Sequence, residues 1–471
     1  MSTVAPTRTD AHRPEHHLTP VATWMNDPNG LILHEGTWHA FFQNNPFGSL
    51  WGNLSWGHAT SPDLATWTAQ PVAIEATAEE MIFSGSVVHD AGNTSGLGGD
   101  DGSGPLVAIY TSAYTDAHPT LAGIQAQSIA SSTDGGLTWT RHAGNPVLDR
   151  GSANFRDPKV FRHAESGRWV MVAVEALEHT VHVHTSTDLL TWEHASAFTH
   201  PAVDGGIWEC PDLVRVPVDG DGGGEAWVLI LSTNPGGPAG GSGTYAILGD
   251  FDGRDFTVTA APVPLDLGHD HYATVSFSGV EGSPVLLGWM NNWDYATTTP
   301  TDPWRSAMTL PRTLHLEQGA DGNLALRQQL LVPDAVATFE LEVPEPLPAP
   351  QEVARVEGST PFHLRGILPR GRALDLVLRV DGEDGPREVV VEVTADGTVT
   401  VDRSRAHLTD FAPGHTRSAP WTARPGTEGI PFSLVMDRSC LELELDGGRA
   451  LVSEQVFPGP GQVSVLLVPR T

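Results

Sequence analysis

The 471-residue sequence predicts an all-β chain, a propeller of repeated sheets followed by an antiparallel β-sandwich. Three features lead there. Fifty glycines and 37 prolines leave few windows of helical periodicity, so elements must be short and turns frequent. A turn-then-aromatic motif recurs through the first two thirds of the chain at the spacing of one four-stranded blade. Beyond residue 350, apolar and polar residues alternate with period two, as in strands that bury one face.

The recurring motif joins Ser61 and Asp63 to Trp67, Ser132 and Asp134 to Trp139, and Ser186 and Asp188 to Trp192. Asp252 before Phe256 is a degenerate copy. The full copies start 54 to 71 residues apart. Between them lie strand-like runs: WHAFF (38–42), LVAIY (106–110), WVMVAV (169–174) and WVLIL (227–231). The stretches 92–104, 220–224 and 235–243 read as exposed loops. Residues 1–14 are expected to be a loose polar tail and 15–316 the propeller. Residues 317–350 are expected to be a linker, with a short helix at 325–331 and a stiff proline-rich segment at 344–350. Residues 351–471 form the sandwich. There LDLVLRV (374–380) and LELEL (441–445) place acids on the outward face.

Composition excludes several partners. Twenty-six Lys and Arg against 57 Asp and Glu give a net charge of −31, which argues against nucleic acid and anionic membranes. No apolar run reaches membrane-spanning length. Cys210 and Cys440 cannot build a disulfide framework, and the first ten residues lack an apolar signal core. Both features predict a cytoplasmic protein. Oligomeric state stays open.

Three acidic positions stand where a Gly- or Asn-rich stretch meets an apolar strand. Asp27 lies in WMNDPNG (24–30), which reads as a rigid turn between apolar strands. Asp157 lies in RDP (156–158), and Glu209 lies in WECP (208–211). An isolated turn, a local Arg156–Asp157 ion pair or a lone strand Glu would each be unremarkable. Three matched contexts in a propeller, whose inner strands line a central channel, predict that the carboxylates converge. Strand alternation puts Glu209 opposite Trp208 and Cys210. His182 with His184, and His269 with His271, sit at metal-ligand spacing but lack a third partner, so neither metal nor cofactor is expected.

With these residues on the page, the chain resembles glycoside hydrolase family 32, the β-fructofuranosidase, levanase and exo-inulinase family. The resemblance covers nearly the whole chain. It rests on WMNDPNG (24–30), FFQNNP (41–46), WGNLSWGH (51–58), FSGS (83–86), RDP (156–158) and WECP (208–211). It continues through DHYA (270–273), GWMNNW (288–293), WRSAMTLPR (304–312) and DRSCLELELDG (437–447). It implies five propeller blades and retaining cleavage of terminal β-fructofuranosyl units from sucrose, fructo-oligosaccharides or fructans. By this resemblance Asp27 is the nucleophile, Glu209 the general acid/base and Asp157 the transition-state stabiliser. Asn26 and Gln43 are expected as donors around Asp27, and Trp51 and Phe83 as apolar walls with the Ser84 hydroxyl beside them. Arg156 is expected to fix Asp157 or reach a substrate hydroxyl. Asp270 is matched to the leaving-group sugar and Trp289 to a binding aromatic, with the choice between Trp289 and Trp293 as the sugar-facing ring left open. His271 and the pair Asn44 and Asn45 depart from the family pattern. A retaining pair stands about 5–5.5 Å apart, close enough for an ionised Asp27 to oppose ionisation of Glu209. The alternatives are a fructosyltransferase using a sugar acceptor, a catalytically silent fructan-binding propeller and a propeller for protein interaction. A sialidase is discounted, because tyrosines and clustered arginines are scarce.

Overall fold

Short β-branched and aromatic runs punctuated by Gly, Pro and Asp form strands almost throughout the computed structural model, which describes residues 11–470 except 100–103, 204, 220–222, 320, 357–359, 383–384 and 407–410. Much of the tail expected at 1–14, and parts of the loops at 92–104 and 220–224, fall outside the described residues. Among the described residues there is no α-helix, only a 3₁₀ turn at Ala176–Glu178.

The first region is a series of four-stranded antiparallel sheets made from consecutive strands. The first holds Trp24–His34, Thr37–Asn45, Ser55–Ser61 and Thr68–Ile74. The second holds Glu80–His89, Leu106–Tyr114, Gln125–Ser132 and Thr140–Arg141. The third holds Phe155–His163, Arg168–Glu175, Thr180–Ser186 and Glu193–Phe198. Ile207–Asp219, Glu225–Asn234, Gly243–Phe251 and Phe256–Val258 follow. Last comes a run of Tyr272–Ser276, Val285–Met290, Arg312–Gln318 and Leu324–Leu330, joined to its predecessor by the parallel pair Val218 and Leu316.

The leading strand of each sheet touches the leading strand of the next, and Tyr272–Ser276 touches Trp24–His34. Closure is by backbone: Met25 N donates to Arg305 O, and Leu33 N to Ser278 O. Apolar clusters fill the spaces between sheets, with Trp208, Leu213 and Leu231 meeting Val172, Val174 and Val183 in one of them. The recurring motif has one structural meaning. Each copy turns the chain from the third strand of a sheet to its fourth. Asp63, Asp134, Asp188 and Asp252 each accept backbone N–H bonds within that turn.

The second region packs a five-stranded sheet against a six-stranded one. Leu374, Leu376, Leu378 and Val380 from one face Leu441, Leu443 and Leu445 from the other. The acids alternating with them leave this core, as the pattern predicts, but do not all reach solvent. Glu442 is fully buried against the first region, where it accepts from Arg312 Nη2 at 2.7 Å.

The stretch expected as a linker is largely structured. The predicted helix at 325–331 is instead the strand Leu324–Leu330, because seven residues pair with Arg312–Gln318 and that pairing overrides local helix propensity. Ala337–Leu341 pairs in parallel with Phe362–Pro369 of the sandwich.

Candidate active site

The three acidic motifs do not form turns. Each lies inside a continuous leading strand and interrupts its ladder. The register slips between Met25 and Pro28 and again between Asn29 and Ile32. It slips opposite Asp157, between Val172 and Val174, and once more between Glu209 and Asp212. The other two leading strands slip at the same stage, between Ile82 and Gly85 and between Tyr272 and Val275. Asp157, Cys210 and Ala273 carry left-handed φ values of 62°, 48° and 52°. A bulge re-aims the side chains around it, and a proline that cannot donate to a ladder is tolerated there. Pro28, Pro158 and Pro211 each follow a slip residue. The predicted rigid turn at 24–30 is therefore corrected to a bulged strand, for which the same Asn, Pro and Gly chemistry serves.

The bulges bring Asp27, Asp157 and Glu209 together. Asp27 Oδ2 accepts from Ser84 Oγ at 2.7 Å, and Oδ1 accepts from Asn26 Nδ2 at 3.1 Å. Asn26 is oriented in turn by Trp24 Nε1 at 2.7 Å. Asp157 Oδ2 accepts from the Cys210 amide at 2.9 Å, while its own N–H donates to Thr111 Oγ1 at 2.9 Å. The Cys210 thiol lies 3.6 Å from Asp27 Oδ2 and 3.8 Å from Asp157 Oδ2, so one sulfur separates the two aspartates. This corrects the alternation reading. With Cys210 in a left-handed conformation its thiol enters the site, while Trp208 packs away from it against the third sheet. Glu209 accepts from Arg156 Nη2 at 3.0 Å and from the Tyr272 hydroxyl at 2.5 Å. Arg156 stands 3.9 Å from Asp157, so its nearer partner is Glu209.

Burial pushes the Asp27 carboxyl above its usual range, the Glu209 charge adds to this, and the Ser84 and Asn26 donors oppose it. Asp157 moves the same way. Burial is the main cause, Arg156 opposes it, and the charges of Glu209 and Asp27 reinforce it. Burial also holds the Cys210 thiol and the Tyr272 hydroxyl well above their ordinary values, so both stay neutral and can donate.

The other expected residues divide. Trp51, 45 % exposed, meets Phe83 edge-to-face at 6.3 Å and forms a rim. Gln43 is buried, and neither polar atom of its amide has a partner among the described residues, so it does not serve Asp27. Trp289 is fully buried beneath the site and donates to Met25 O at 3.1 Å. Of the tryptophan pair, Trp293 is the partly exposed one. Asp270 is not in the site. It is fully buried against the sandwich, accepting from Arg403 Nη1 at 2.6 Å, Gln455 N at 2.7 Å and Tyr295 OH at 2.7 Å. Tyr272, Cys210 and Thr111 are contacts that sequence reasoning did not assign. Their only signal was that Tyr272 and Cys210 fall within the quoted motifs.

The histidine pairs hold no metal set. His182 and His184 share a face with His194, and His182 Nδ1 lies 3.2 Å from His194 Nε2. Burial holds His182 and His184 down to about 4 and about 3. His269 faces Glu454. Among the described residues no group of three or more His, Cys, Asp or Glu is disposed to hold a metal ion.

Known proteins resemble this chain along most of its length. An extracellular exo-inulinase of Aspergillus ficuum is 38% identical over 97% of this chain and 91% of its own length. A levanase of Bacillus subtilis is 36% identical over 95% of this chain and 66% of its own. The solved β-fructofuranosidase of Schwanniomyces occidentalis, complexed with fructosyl-erythritol, superposes with a TM-score of 0.85 at 30% identity, covering 98% of this chain and 94% of that one. The exo-inulinase being extracellular overturns the predicted cytoplasmic location and points to secretion. The cysteine argument behind that prediction fails physically. Both thiols are free and buried, so they report packing and not compartment. No helix among the described residues is long and apolar enough to cross a membrane. Residues 17–328 match the glycosyl hydrolases family 32 N-terminal domain and residues 370–468 the family's C-terminal domain, so the chain belongs to glycosyl hydrolase family 32 and is a glycoside hydrolase.

Proposed function

We propose that the chain is a retaining β-fructosidase that removes terminal β-D-fructofuranosyl units from sucrose, fructo-oligosaccharides or fructans. The observation that carries this reading is the pairing of Asp27, held by Ser84 and Asn26, with Glu209, held separately by Arg156 and Tyr272. Two carboxylates in different settings suit two different roles. Asp27 attacks the anomeric carbon as Glu209 transfers a proton to the departing oxygen, giving a fructosyl ester and a free alcohol. Glu209 then takes a proton from water as that water attacks the same carbon, releasing Asp27 and fructose. Asp157 holds sugar hydroxyls as positive charge develops. Trp51 and Phe83 wall the entry, and of Trp289 and Trp293 the partly exposed Trp293 takes the sugar-facing part.

The catalytic unit in this reading is a five-bladed propeller over 15–316, and residues 351–471 form the accessory sandwich. The connector 317–350 lends one strand to each. Carboxylates at the head of a closed ring of strands suit attack at a chain end.

Two measurements test the proposal. Asp27→Asn and Glu209→Gln are each expected to fold and to lose roughly 10²-fold or more of turnover on sucrose. With a fructoside whose leaving group needs no protonation, Glu209→Gln still forms the fructosyl-enzyme and Asp27→Asn does not. Near-native sucrose turnover by Glu209→Gln overturns the assignment of the acid. Separately, free fructose is expected as the dominant early product from levan or inulin. Early oligosaccharides or a difructose anhydride overturn end-attack.

A further inference from the structure

One step further along the same strands lies a second polar layer that the proposed chemistry does not use. Lys159 follows Asp157 by two residues, and Asp212 follows Cys210 by two. Ser276 ends the strand that carries Tyr272. Lys159 Nζ donates to Asp212 Oδ2 at 2.9 Å, to Ser276 O at 2.6 Å and to Ser276 Oγ at 2.9 Å. Asp212 Oδ2 also accepts from Ser276 N at 2.6 Å and Oγ at 2.7 Å. The Asp212 side chain is fully buried and that of Lys159 is 8% exposed. Asp212 Oδ1 has no partner among the described residues. A buried ion pair is weak evidence of stabilisation, because desolvation offsets its Coulomb gain. Its position suggests another use.

Lys159 lines one small cavity together with Asp157, Ser84 and Cys210. Together with Asp212 it also lines a crevice of about 460 Å³ at the far ends of the same strands. The pair therefore stands between the carboxylates and the opposite face. On the site side are Asp27, Asp157, Glu209, the Arg156 cation paired with Glu209, and the neutral Cys210 and Tyr272. On the far side, Arg215 pairs with Glu165 and Glu225, Arg162 lies over Trp169, His163 faces Glu165, and His89 meets His34 edge-to-face. Lys159 is the cation that reaches, from below, the small cavity beside Asp157 and Cys210, and Asp212 is the anion that balances it.

We infer that Lys159, Asp212 and Ser276 form a positioning tie that sets both the register of three site-bearing strands and the charge felt by the catalytic carboxylates. The inference rests on the site reading above. Asp212→Asn keeps the shape and the acceptor for Ser276 but leaves Lys159 unbalanced, favouring ionised Asp27 and Asp157. The acidic limb of kcat/KM for sucrose is expected to move toward acid by about half a pH unit or more. Lys159→Met is expected to move it toward alkali, and Lys159→Arg to restore the native limb. A purely structural role lowers the melting temperature but cannot drive the limb in opposite directions. Unmoved limbs, or shifts of the same sign, overturn the inference. Asp212→Asn alone decides it if Lys159→Met does not fold. Asp27→Asn, measured alongside, separates the two claims. If it keeps sucrose turnover, the site reading falls. If it is inactive while the limbs stay fixed, only the tie falls.

Discussion

Asp27 and Asp157 show what a shared, water-poor site does to neighbouring acids. Their carboxyls are both driven up, chiefly by burial and then by Glu209. In the proposed mechanism Asp27 attacks only when ionised, so activity is expected to fall as pH falls through its raised pKa. The acidic limb of kcat/KM is therefore expected above the ordinary carboxylate value, and a profile on sucrose from pH 3 to 8 checks it. The same shift has a consequence for stability. An acid whose folded pKa is raised costs stability as pH climbs from its unfolded value to its folded one, and the full cost is present above the folded value. Asp157→Asn keeps an acceptor for the Cys210 amide, so its melting temperature at pH 7 should match or exceed that of the parent. Its turnover should drop about 10²–10³-fold, as when a group that stabilises developing charge is removed. These acids were legible because each precedes a Pro by one or two residues at a strand entrance. Cys210 was not, because period-two alternation assumes an unbroken ladder and its φ of 48° breaks it. Asp270 shows the reverse failure. A motif match placed it at the sugar, yet Arg403 lies over 100 residues away in sequence and its pull toward the sandwich could not be read locally.

At the scale of elements, the fold uses one device repeatedly, a bulge near the head of each leading strand. Gly30 shows how tightly one of them is packed. Its φ is 52°, and a Cβ built there would sit 2.8 Å from Phe41, 2.8 Å from Val87 and 2.9 Å from Trp56. Gly30→Ala combines backbone strain with overpacking and is expected to cost about 1–3 kcal/mol, read as a lower denaturant midpoint at unchanged slope. The period-two strands and Asp-turn motifs were legible because both signals are local. The motif turned out to mark the third-to-fourth-strand turn in every copy. The segment at 325–331 was not legible, since Ala, Leu, Arg and Gln favour helix and only pairing with Arg312–Gln318 makes it a strand.

The whole molecule is held together by buried charge between its two regions. Arg312 bonds Asp266 and Glu442, Arg403 bonds Asp270 and Glu454, and His17 bonds Asp437 and Glu442. Removing one partner of such a set strands the others. Arg403→Met is expected to destabilise by about 3–5 kcal/mol, read by calorimetry as a lower melting temperature. For His17, burial alone would lower the pKa. The bonds and charges of Asp437 and Glu442 outweigh it and raise the group to about 9. The stability it contributes is full below its unfolded pKa near 6.5 and is lost as pH rises through 9. A melting curve series from pH 6 to 10 should fall more steeply for the parent than for His17→Gln.

The closure between the two ends of the first region bears on how the chain is made. Met25 N waits for Arg305 O, and His17 waits for Asp437, 420 residues later. During vectorial synthesis the earliest strand emerges with one edge unsatisfied, and it stays so until most of the protein has followed. Sheets of local hairpins can form as they appear, but the ring they build can lock only near the end of translation. An exposed first strand held open that long is a template for wrong partners. Fast local assembly and slow final closure follow from where one backbone amide and one imidazole find their acceptors.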